Sequence, residues 1–193
     1  HLSDPFVKQA QKDGYRSRSA YKLIELDEKD RLMRPGMRVL DLGSAPGGWS
    51  QVAAKAVGAK GRVLATDILP MDPIRNVDFL QGDFTTDTVV EQIKAWLGDG
   101  KFDLIVSDIA PNLSGIDSAD QARSMHFLDL ALDTVRLMLK PGAHFVAKMF
   151  QGQGSDEYVK DLRKHFGKVS IRKPKASRPE SREVYIVAKE FKR

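Results

Sequence analysis

Short apolar runs alternate with helix-periodic segments along most of the chain, and this alternation constrains the fold more than any other feature. The apolar runs are bounded by Gly, Pro, Asn or Asp and predict strands at 38–44, 61–68, 77–83, 102–110, 144–150, 168–173 and 182–190. Apolar residues recur at helical spacing in the segments 51–57, 87–97, 124–140 and 156–166. We therefore expect an α/β fold of Rossmann-like type, in which a mostly parallel seven-stranded sheet carries helices on both faces.

The length and the absence of repeats or long linkers predict one domain over residues 1–193. Within it we expect an N-terminal helical segment over 1–34 and a Rossmann-like core over 35–193 with a basic C-terminal stretch. The helical pattern of the first segment runs over 17–33, with Ser17 or Ser19 as its N-cap. Because the chain begins at His1 instead of methionine, we expect its natural amino terminus to be missing.

The composition excludes several classes of protein. No apolar stretch is long enough to span a membrane, and the first residues lack the pattern of a signal peptide, so we expect a cytoplasmic protein. The chain has no cysteine, which excludes disulfides and thiolate chemistry. Its four histidines show no metal-ligand spacing, so we expect no metal site.

Positive charge is concentrated near the C-terminus. Residues 160–193 hold 12 Lys or Arg against 4 Asp or Glu, whereas the remainder holds 19 against 22. A local basic segment of this kind favours a polyanionic partner, most simply a nucleic acid. By itself the segment fits a solvated loop without a partner equally well.

A glycine-rich turn follows the first predicted strand, where parallel sheets bind ligands. Gly43, Gly47 and Gly48 let the backbone approach a ligand closely before the next helix begins. Such a turn alone fits NAD, FAD and S-adenosylmethionine sites, or no ligand at all. Asp67 ends the next strand, where a carboxylate can accept hydrogen bonds from ribose hydroxyls, so the pair favours a nucleoside cofactor.

Two details of the pocket favour S-adenosylmethionine over a dinucleotide. Ala45 stands where the dinucleotide fingerprint has its second glycine, and Pro46 stiffens the turn, so close approach of a pyrophosphate is less well provided for. Asp41 and Asp83 add negative charge, which suits a cationic sulfonium and ammonium better than a pyrophosphate. Each carboxylate taken alone would also fit a helix cap or a turn.

The next two predicted strands bring a carboxylate and a lysine to the same edge of the sheet. Asp108 follows an apolar run, and Pro111 and Asn112 then predict a turn. Lys148 interrupts the apolar run 145–150, although lysine is almost never fully buried without a partner. If these strands are neighbours, Asp108 and Lys148 lie close enough to interact; the alternative is a lysine whose ammonium reaches water at the strand edge.

Six motifs in this order carry a resemblance to a known family: DLGSAPGGWSQ, ATDILPMDP, FLQGDF, SDIAPNLSG, VAKMFQG and SREVYIVA. They resemble the FtsJ-type ribosomal RNA 2′-O-ribose methyltransferases, and the similarity runs from about residue 3 to the C-terminus. The resemblance implies a catalytic tetrad at Lys22, Asp108, Lys148 and Glu183. It also implies a pocket for S-adenosylmethionine lined by Gly47, Trp49, Asp67, Asp83 and Asp108. Apart from the resemblance, Lys22 and Glu183 look like ordinary surface charges.

The resemblance further implies methylation of the 2′-hydroxyl of a uridine in large-subunit (23S-type) ribosomal RNA, the target of the single-domain bacterial members. Related members modify transfer RNA or messenger RNA caps, so these substrates stay open as alternatives. We expect the protein to act as a monomer. Lys148 then serves as the base or as the group that orients the hydroxyl, with Lys22 as a second cation nearby. Candidate RNA contacts are Tyr15, Arg16, Arg18, Lys173, Lys175, Arg178 and Arg182.

Two hypotheses from other classes of protein stay open. An NAD-dependent oxidoreductase would explain the glycine turn and Asp67, but it gives Asp108 and Lys148 no role. A non-catalytic RNA-binding or ribosome-assembly protein would explain the basic segment without explaining the tetrad.

Overall fold

The computed structural model describes residues 4–110 and 114–193, and its helices and strands alternate as the sequence predicts. The helices are α1 Pro5–Asp13, α2 Ala20–Asp30, α3 Gly48–Val57, α4 Asp87–Leu97, α5 Asp117–Met138 and α6 Ser155–His165. The strands are β1 Arg38–Leu42, β2 Arg62–Asp67, β3 Val77–Gln81, β4 Phe102–Ser107, β5 Leu139–Phe150, β6 Phe166–Arg172 and β7 Glu183–Phe191. The turn predicted at Pro111 and Asn112 lies outside the described residues, as does His1.

The strands form one sheet in the order β3-β2-β1-β4-β5-β7-β6, which confirms the predicted fold class. The pairs from β3 through β5 are parallel, whereas β7 runs antiparallel to both β5 and β6. Since β7 is reversed, its first residue, Glu183, lies opposite Phe150 at the end of β5. The start of β7 therefore reaches the same edge of the sheet as the carboxyl ends of the parallel strands.

Two apolar clusters fill the two faces of the sheet. The larger one packs α4, α5 and α6 against one face, through residues such as Ile93, Leu132 and Leu162. The other packs α2 and α3 against the opposite face, through residues such as Leu23 and Val52. The sheet is thus covered on both sides, as expected for parallel strands with continuous apolar runs.

The two-residue period of the strands explains why several polar side chains share one face. Val106 of β4 and Val146 of β5 belong to the cluster on the α2 side. Alternation places the side chains two residues further on, Asp108 and Lys148, on that same face. Glu183 stands two residues before Tyr185, which also belongs to this cluster. Three predicted site residues therefore meet beneath α2.

The N-terminal segment contains two helices, whereas the periodic pattern predicted one helix over 17–33. A separate helix α1 precedes α2; the Asp4 side chain caps it by accepting from Phe6 N–H, and Gly14, with φ 81°, is its C-cap. Asp4 and Pro5 are a recognisable helix start, but the following residues are too polar to give a clear apolar period. Ser19 does stand at the N-cap of α2, yet its hydroxyl bonds to Ser17 Oγ at 2.6 Å and makes no capping bond.

Two other elements are longer than their apolar patterns. Helix α5 begins at Asp117, seven residues before the predicted start, because its first turns are largely exposed and need no apolar period. Strand β5 begins at Leu139, and its pairing with β4 shifts register near Leu104. Pro141 and Gly142 resemble a turn, but proline is tolerated at irregular or early strand positions.

None of the helices within 4–110 and 114–193 has the length and apolarity needed to cross a membrane. The division into a helical segment over 1–34 and a core over 35–193, within one domain, stays a prediction.

Candidate active site

A cavity of about 470 Å³ opens beyond the carboxyl ends of β1, β2, β3 and β4. Strands β1 and β4 are neighbours, although β2 and β3 intervene in sequence, so the order of the strands reverses there. Ligands of open α/β sheets bind at such a switch point. The predicted residues Asp67, Asp83 and Asp108 line the cavity, together with the apolar side chains of Ile68 and Phe127.

The glycine turn after β1 forms one wall of the cavity. The backbone N–H groups of Gly43 and Ser44 donate to Thr66 O at 2.8 and 3.0 Å, which binds the turn to the end of β2. Gly43 has φ 73°, and a Cβ atom there would lie 1.9 Å from Ile109 Cγ1. Glycine is therefore needed here for both its conformation and its lack of a side chain.

Two of the predicted cofactor-binding carboxylates are held by local hydrogen bonds. Asp67 accepts from Ala45 N–H at 2.8 Å and from Leu69 N–H at 2.9 Å. Asp83 accepts from the N–H and the hydroxyl of Thr85 at 2.9 and 2.6 Å. Each carboxylate oxygen can accept more than one hydrogen bond, so these contacts fix the orientation and leave capacity for a ligand.

The other two predicted cofactor-binding residues, Trp49 and Gly47, are not among the residues that line the large cavity. Trp49 is 3% exposed, and its indole N–H donates to Ser19 O at 2.8 Å. It borders a smaller cavity of about 40 Å³, between the glycine turn and the start of α2. Gly47, at the N-cap of α3, has φ 124°, and a Cβ atom there would approach Ile74 to 2.6 Å.

The smaller cavity also contains two buried polar groups. Asp41, which is 1% exposed, accepts a hydrogen bond from Ser50 Oγ at 2.7 Å. Burial raises the pKa of the Asp41 carboxyl to about 7, against the effect of Ser50, and the charges of Asp108 and Asp67 raise it further. The buried Ser44 hydroxyl finds no hydrogen-bond partner among the described residues. Such a group suggests a ligand or water at this position.

The four predicted tetrad residues form one cluster of alternating charge. Lys22 Nζ, from α2, lies 2.9 Å from Glu183 Oε1. Lys148 Nζ lies 3.4 Å from Asp108 Oδ1 and 3.6 Å from Glu183 Oε2. Glu183 thus joins the two lysines, and the predicted proximity of Asp108 and Lys148 is confirmed. Geometry alone does not test the catalytic roles, which stay predictions.

Burial explains how a lysine can interrupt the apolar run of β5. The Lys148 side chain is 11% exposed, so it is packed inside the protein and does not extend into water. Both carboxylates beside it are similarly buried, at 13% for Asp108 and 10% for Glu183. Buried charges are tolerated when they are paired, as they are here.

Two further residues hold the carboxylates of the cluster. Tyr185, which pairs with Lys148 across β5 and β7, donates its hydroxyl to Asp108 Oδ1 at 2.5 Å. Ser177 donates its hydroxyl to Glu183 Oε1 at 2.8 Å. The sequence reasoning missed both. Tyr185 could have been found from the alternation of β7, whereas Ser177 lies in an irregular segment that carries no periodic signal.

The surroundings raise the pKa of the Asp108 carboxyl but lower the pKa of the Glu183 carboxyl. Burial raises the pKa of Asp108, although Lys148 and Lys22 oppose it. Burial also acts to raise the pKa of Glu183, but the hydrogen bond and charge of Lys22, with Ser177 and Lys148, lower it to about 2. Glu183 is therefore ionised throughout the neutral range and can hold both lysines.

The candidate RNA-binding residues have diverse surroundings. Arg16 donates to Pro46 O, Asp72 O and Pro73 O, so it joins the glycine turn to the segment after β2. Lys173 donates to Ser181 O and Glu183 O. Tyr15 packs edge-on against Tyr21 and beneath Lys55, and Arg18 is partly buried. The remaining candidates, Lys175, Arg178 and Arg182, are exposed.

Within the described parts of the chain, no group of three or more His, Cys, Asp or Glu is arranged to hold a metal ion. The expectation of a metal-free site remains a prediction.

Similar proteins with curated names span nearly the whole chain. It is 68% identical over 192 residues to ribosomal RNA large subunit methyltransferase E of Stutzerimonas stutzeri, covering 100% of this chain and 93% of the relative. It is 62% identical to the protein of the same name from Marinobacter nauticus, with the same coverage of both chains.

Solved structures agree with the fold. The crystal structure described as "a ribosomal RNA methyltransferase, putative" from Plasmodium falciparum has a TM-score of 0.84 and 33% identity, covering 92% of this chain and 98% of that one. A fibrillarin/Nop5p complex contains a chain with a TM-score of 0.58 and 20% identity, covering 82% of this chain and 75% of that one, which is a likeness of fold alone. The sequence profile of the FtsJ-like methyltransferases matches residues 15–191. With identities this high over nearly the whole chain, this protein is a methyltransferase and belongs to the FtsJ-like methyltransferase family.

Proposed function

We propose that this methyltransferase uses S-adenosylmethionine to methylate the 2′-hydroxyl of a uridine in large-subunit ribosomal RNA. The observation that carries the proposal is the buried cluster of Lys22, Asp108, Lys148 and Glu183 at the margin of the sheet-edge cavity. Asp108 belongs to both, since it lines the cavity and lies 3.4 Å from Lys148. A methyl donor in the cavity would therefore lie next to the cluster.

The residues of the cavity fit S-adenosylmethionine. Its volume of about 470 Å³ lies within the range of small-molecule sites. Asp67 and Asp83 would accept hydrogen bonds from the nucleoside, and Asp108 would offset the positive charge of the methionine part, with the Asp41 carboxyl in the adjoining smaller cavity. The unpartnered Ser44 hydroxyl adds a polar group at the same turn. When bound, this cofactor supplies an electrophilic methyl group on its sulfonium.

Within the cluster, Lys148 acts on the ribose hydroxyl and the other three residues position it. Methyl transfer from a sulfonium requires an aligned 2′-oxygen and removal of its proton. In its neutral form the Lys148 amine can accept that proton as a base; as an ammonium it donates a hydrogen bond that orients the oxygen, and the proton leaves to water. Asp108 and Glu183 hold the amine from two sides, and Lys22 balances the charge of Glu183.

Ribosomal RNA is the substrate that the relatives favour. The two similar bacterial proteins described above carry that substrate in their names. A 2′-hydroxyl exists in RNA and not in DNA, and the exposed basic residues near the cluster suit its phosphates. This substrate also implies that the protein works as a cytoplasmic enzyme on the large ribosomal subunit, and we expect it to do so as a monomer.

The test is transfer of labelled methyl groups from S-adenosylmethionine to undermethylated large ribosomal subunits, to transfer RNA and to capped RNA. Modified positions are mapped by the resistance of 2′-O-methylated linkages to alkaline cleavage. The proposal predicts one protected ribose, a uridine, in the large-subunit RNA. Transfer to transfer RNA or capped RNA alone would overturn the substrate, and cofactor binding without transfer to any RNA would favour a binding protein. Absence of cofactor binding, measured by thermal shift, would overturn the cofactor.

A further inference from the structure

An open groove of about 420 Å³ lies between the start of α1 and the segment that joins β6 to β7. Its cations are Arg18, Lys175 and Arg178, and its carboxylates are Asp4 and Glu180. Neither Asp4 nor Glu180 belongs to the tetrad or to the cavity described above. The groove is thus a separate, charged surface; the sequence identified its three cations as candidate RNA contacts but gave no role to its carboxylates.

One carboxylate is paired with both arginines of the groove. Asp4 Oδ2 lies 2.9 Å from Arg18 Nε and 3.8 Å from Arg178 Nη2. Arg18 Nε is buried, yet within the described residues it makes no aligned hydrogen bond, so its contact with Asp4 is electrostatic only. A buried guanidinium N–H without a hydrogen bond indicates a donor that an anion in a better position would satisfy.

The other carboxylate oxygen of Asp4 has a structural role in α1. Its Oδ1 accepts from Phe6 N–H at 2.8 Å and caps α1. The capping bond needs only an acceptor, whereas the contacts with the arginines depend on negative charge. These two roles can be separated by substitution, because asparagine is an equally good N-cap but carries no charge.

The groove is connected directly to the tetrad. Ser177, in its wall, donates to Glu183 Oε1, which is also bound by Lys22. The same segment is fixed to α2, since the N–H groups of Lys175 and Ala176 donate to the Glu25 carboxylate at 2.8 and 3.3 Å. An RNA strand whose ribose reaches Lys148 therefore has a rigid basic surface immediately beside it.

We propose that the groove binds a backbone phosphate of the RNA next to the target nucleotide through Arg18 and Arg178. In the absence of RNA, Asp4 forms ion pairs with both arginines, and the phosphate replaces it there. This inference rests on the proposed RNA substrate. Phosphate offers more acceptor oxygens than a single carboxylate oxygen, and guanidinium groups bind it in a bidentate manner. Asp4 thus competes with the substrate and weakens binding of RNA that does not fill the groove.

The direction in which Asp4→Asn changes RNA affinity distinguishes a competing Asp4 from one that only positions Arg18. Asp4→Asn keeps the cap of α1 but removes the competing charge, so RNA binding becomes about two- to fivefold tighter, the range expected for the partly exposed pair of Asp4 with Arg178. If Asp4 instead serves only to position Arg18, the same substitution weakens binding or leaves it unchanged. Either of these results would overturn the competitor role.

The companion substitution tests the phosphate site. Arg178→Ala weakens binding about five- to tenfold and reduces the slope of log Kd against log salt by about one. The control is Arg163→Ala, an exposed arginine in the last turn of α6, which leaves both quantities unchanged. An Arg178→Ala variant that matches the Arg163→Ala variant would overturn the site.

Binding and turnover are measured separately on undermethylated large ribosomal subunits. Filter binding gives Kd for each variant without requiring catalysis, and methyl transfer gives kcat and KM. The effects are expected in KM rather than in kcat, because the groove binds RNA away from the reacting atoms. If the wild-type protein binds RNA but transfers no methyl group, the proposed reaction fails while the binding series still decides the groove.

Discussion

Lys22 Nζ lies 2.9 Å from Glu183 Oε1 although the two residues are 161 positions apart in the chain. The contact joins α2 to the start of β7, and both side chains are about nine-tenths buried, at 8% and 10% exposed. Removing one partner of a buried ion pair leaves an uncompensated charge and typically costs about 3 to 5 kcal/mol. Loss of activity in a tetrad variant must therefore be distinguished from loss of the fold.

Lys148→Met is expected to lower the rate of methyl transfer about 10² to 10⁴-fold, because it removes the amine but keeps an unbranched side chain in the packed site. Single-turnover transfer with enzyme in excess measures the chemical step. The control is Lys140→Met on the same strand, whose ammonium is half exposed and pairs with Asp103 at 2.7 Å. Equal rates for the two variants, with cofactor and RNA still bound, would remove Lys148 from its proposed role.

Glu183→Gln is expected to lower the free energy of unfolding at pH 7 by about 2 to 4 kcal/mol. The folded-state pKa of Glu183 is about 2, below the ordinary 4.5, because its bonds to Lys22 and Ser177 outweigh the effect of burial. The stabilisation is thus present above pH 4.5 and lost as pH falls towards 2. Urea unfolding from pH 7 to pH 3 should show the difference from wild type shrinking below pH 4.5.

The control for that series is Glu157→Gln, which changes an exposed glutamate in the first turn of α6 and should shift stability by no more than about 0.5 kcal/mol. A gap between wild type and Glu183→Gln that stays constant down to pH 3 would contradict the depressed pKa.

Asp41→Asn is expected to stabilise the cofactor-free protein at high pH. Burial, opposed by Ser50 and assisted by the charges of Asp108 and Asp67, raises the folded-state pKa of Asp41 from 3.8 to about 7. A raised carboxyl pKa means that stability is lost as pH rises from about 4 through 7. The variant should exceed wild type by about 2 to 4 kcal/mol at pH 8 and match it near pH 4.

Thermal unfolding across that pH range, repeated with the exposed control Asp99→Asn, tests the Asp41 prediction. If Asp41→Asn and Asp99→Asn have the same pH profile, the carboxyl of Asp41 does not titrate as expected.

Tyr185→Phe is expected to lower stability by about 1 to 2 kcal/mol and methyl transfer about tenfold. It keeps the ring that packs 5.7 Å from Trp49 but removes the donor that holds Asp108. Tyr158→Phe provides a matched control, since Tyr158 is also buried and donates its hydroxyl to Leu128 O at 2.9 Å. Denaturant unfolding and single-turnover transfer should show similar stability losses but a slower reaction only for Tyr185→Phe.

The periodic parts of the fold were predictable because burial leaves its pattern in the sequence. All seven strands were expected, and Asp108 and Lys148 were placed together, since each follows an apolar run at the same edge of the sheet. Helix α1 and the first turns of α5 were missed because exposed helical turns require no apolar period. Propensity and caps are weaker signals than burial.

The rest of the site depends on contacts between distant segments. Nothing near Lys22 or Glu183 in the sequence indicates that α2 and β7 meet, and only the family resemblance singled them out. Ser177 and Asp4 were not identified at all. Ser177 lies only six residues before Glu183, but in an irregular segment without a periodic signal, and Arg178 reaches Asp4 only after the segment before β7 has packed beside α1. Such contacts leave no local pattern of hydrophobicity.

The antiparallel insertion of β7 between β5 and β6 makes the order of synthesis important. A ribosome produces Lys22, Asp108 and Lys148 well before Glu183, so a nascent chain has two lysines at this edge without the carboxylate that joins them. Until β7 is released and pairs with β5, that edge of the sheet is also open. Chains interrupted before β7 are therefore expected to be inactive, which restricts methylation to fully synthesised enzyme.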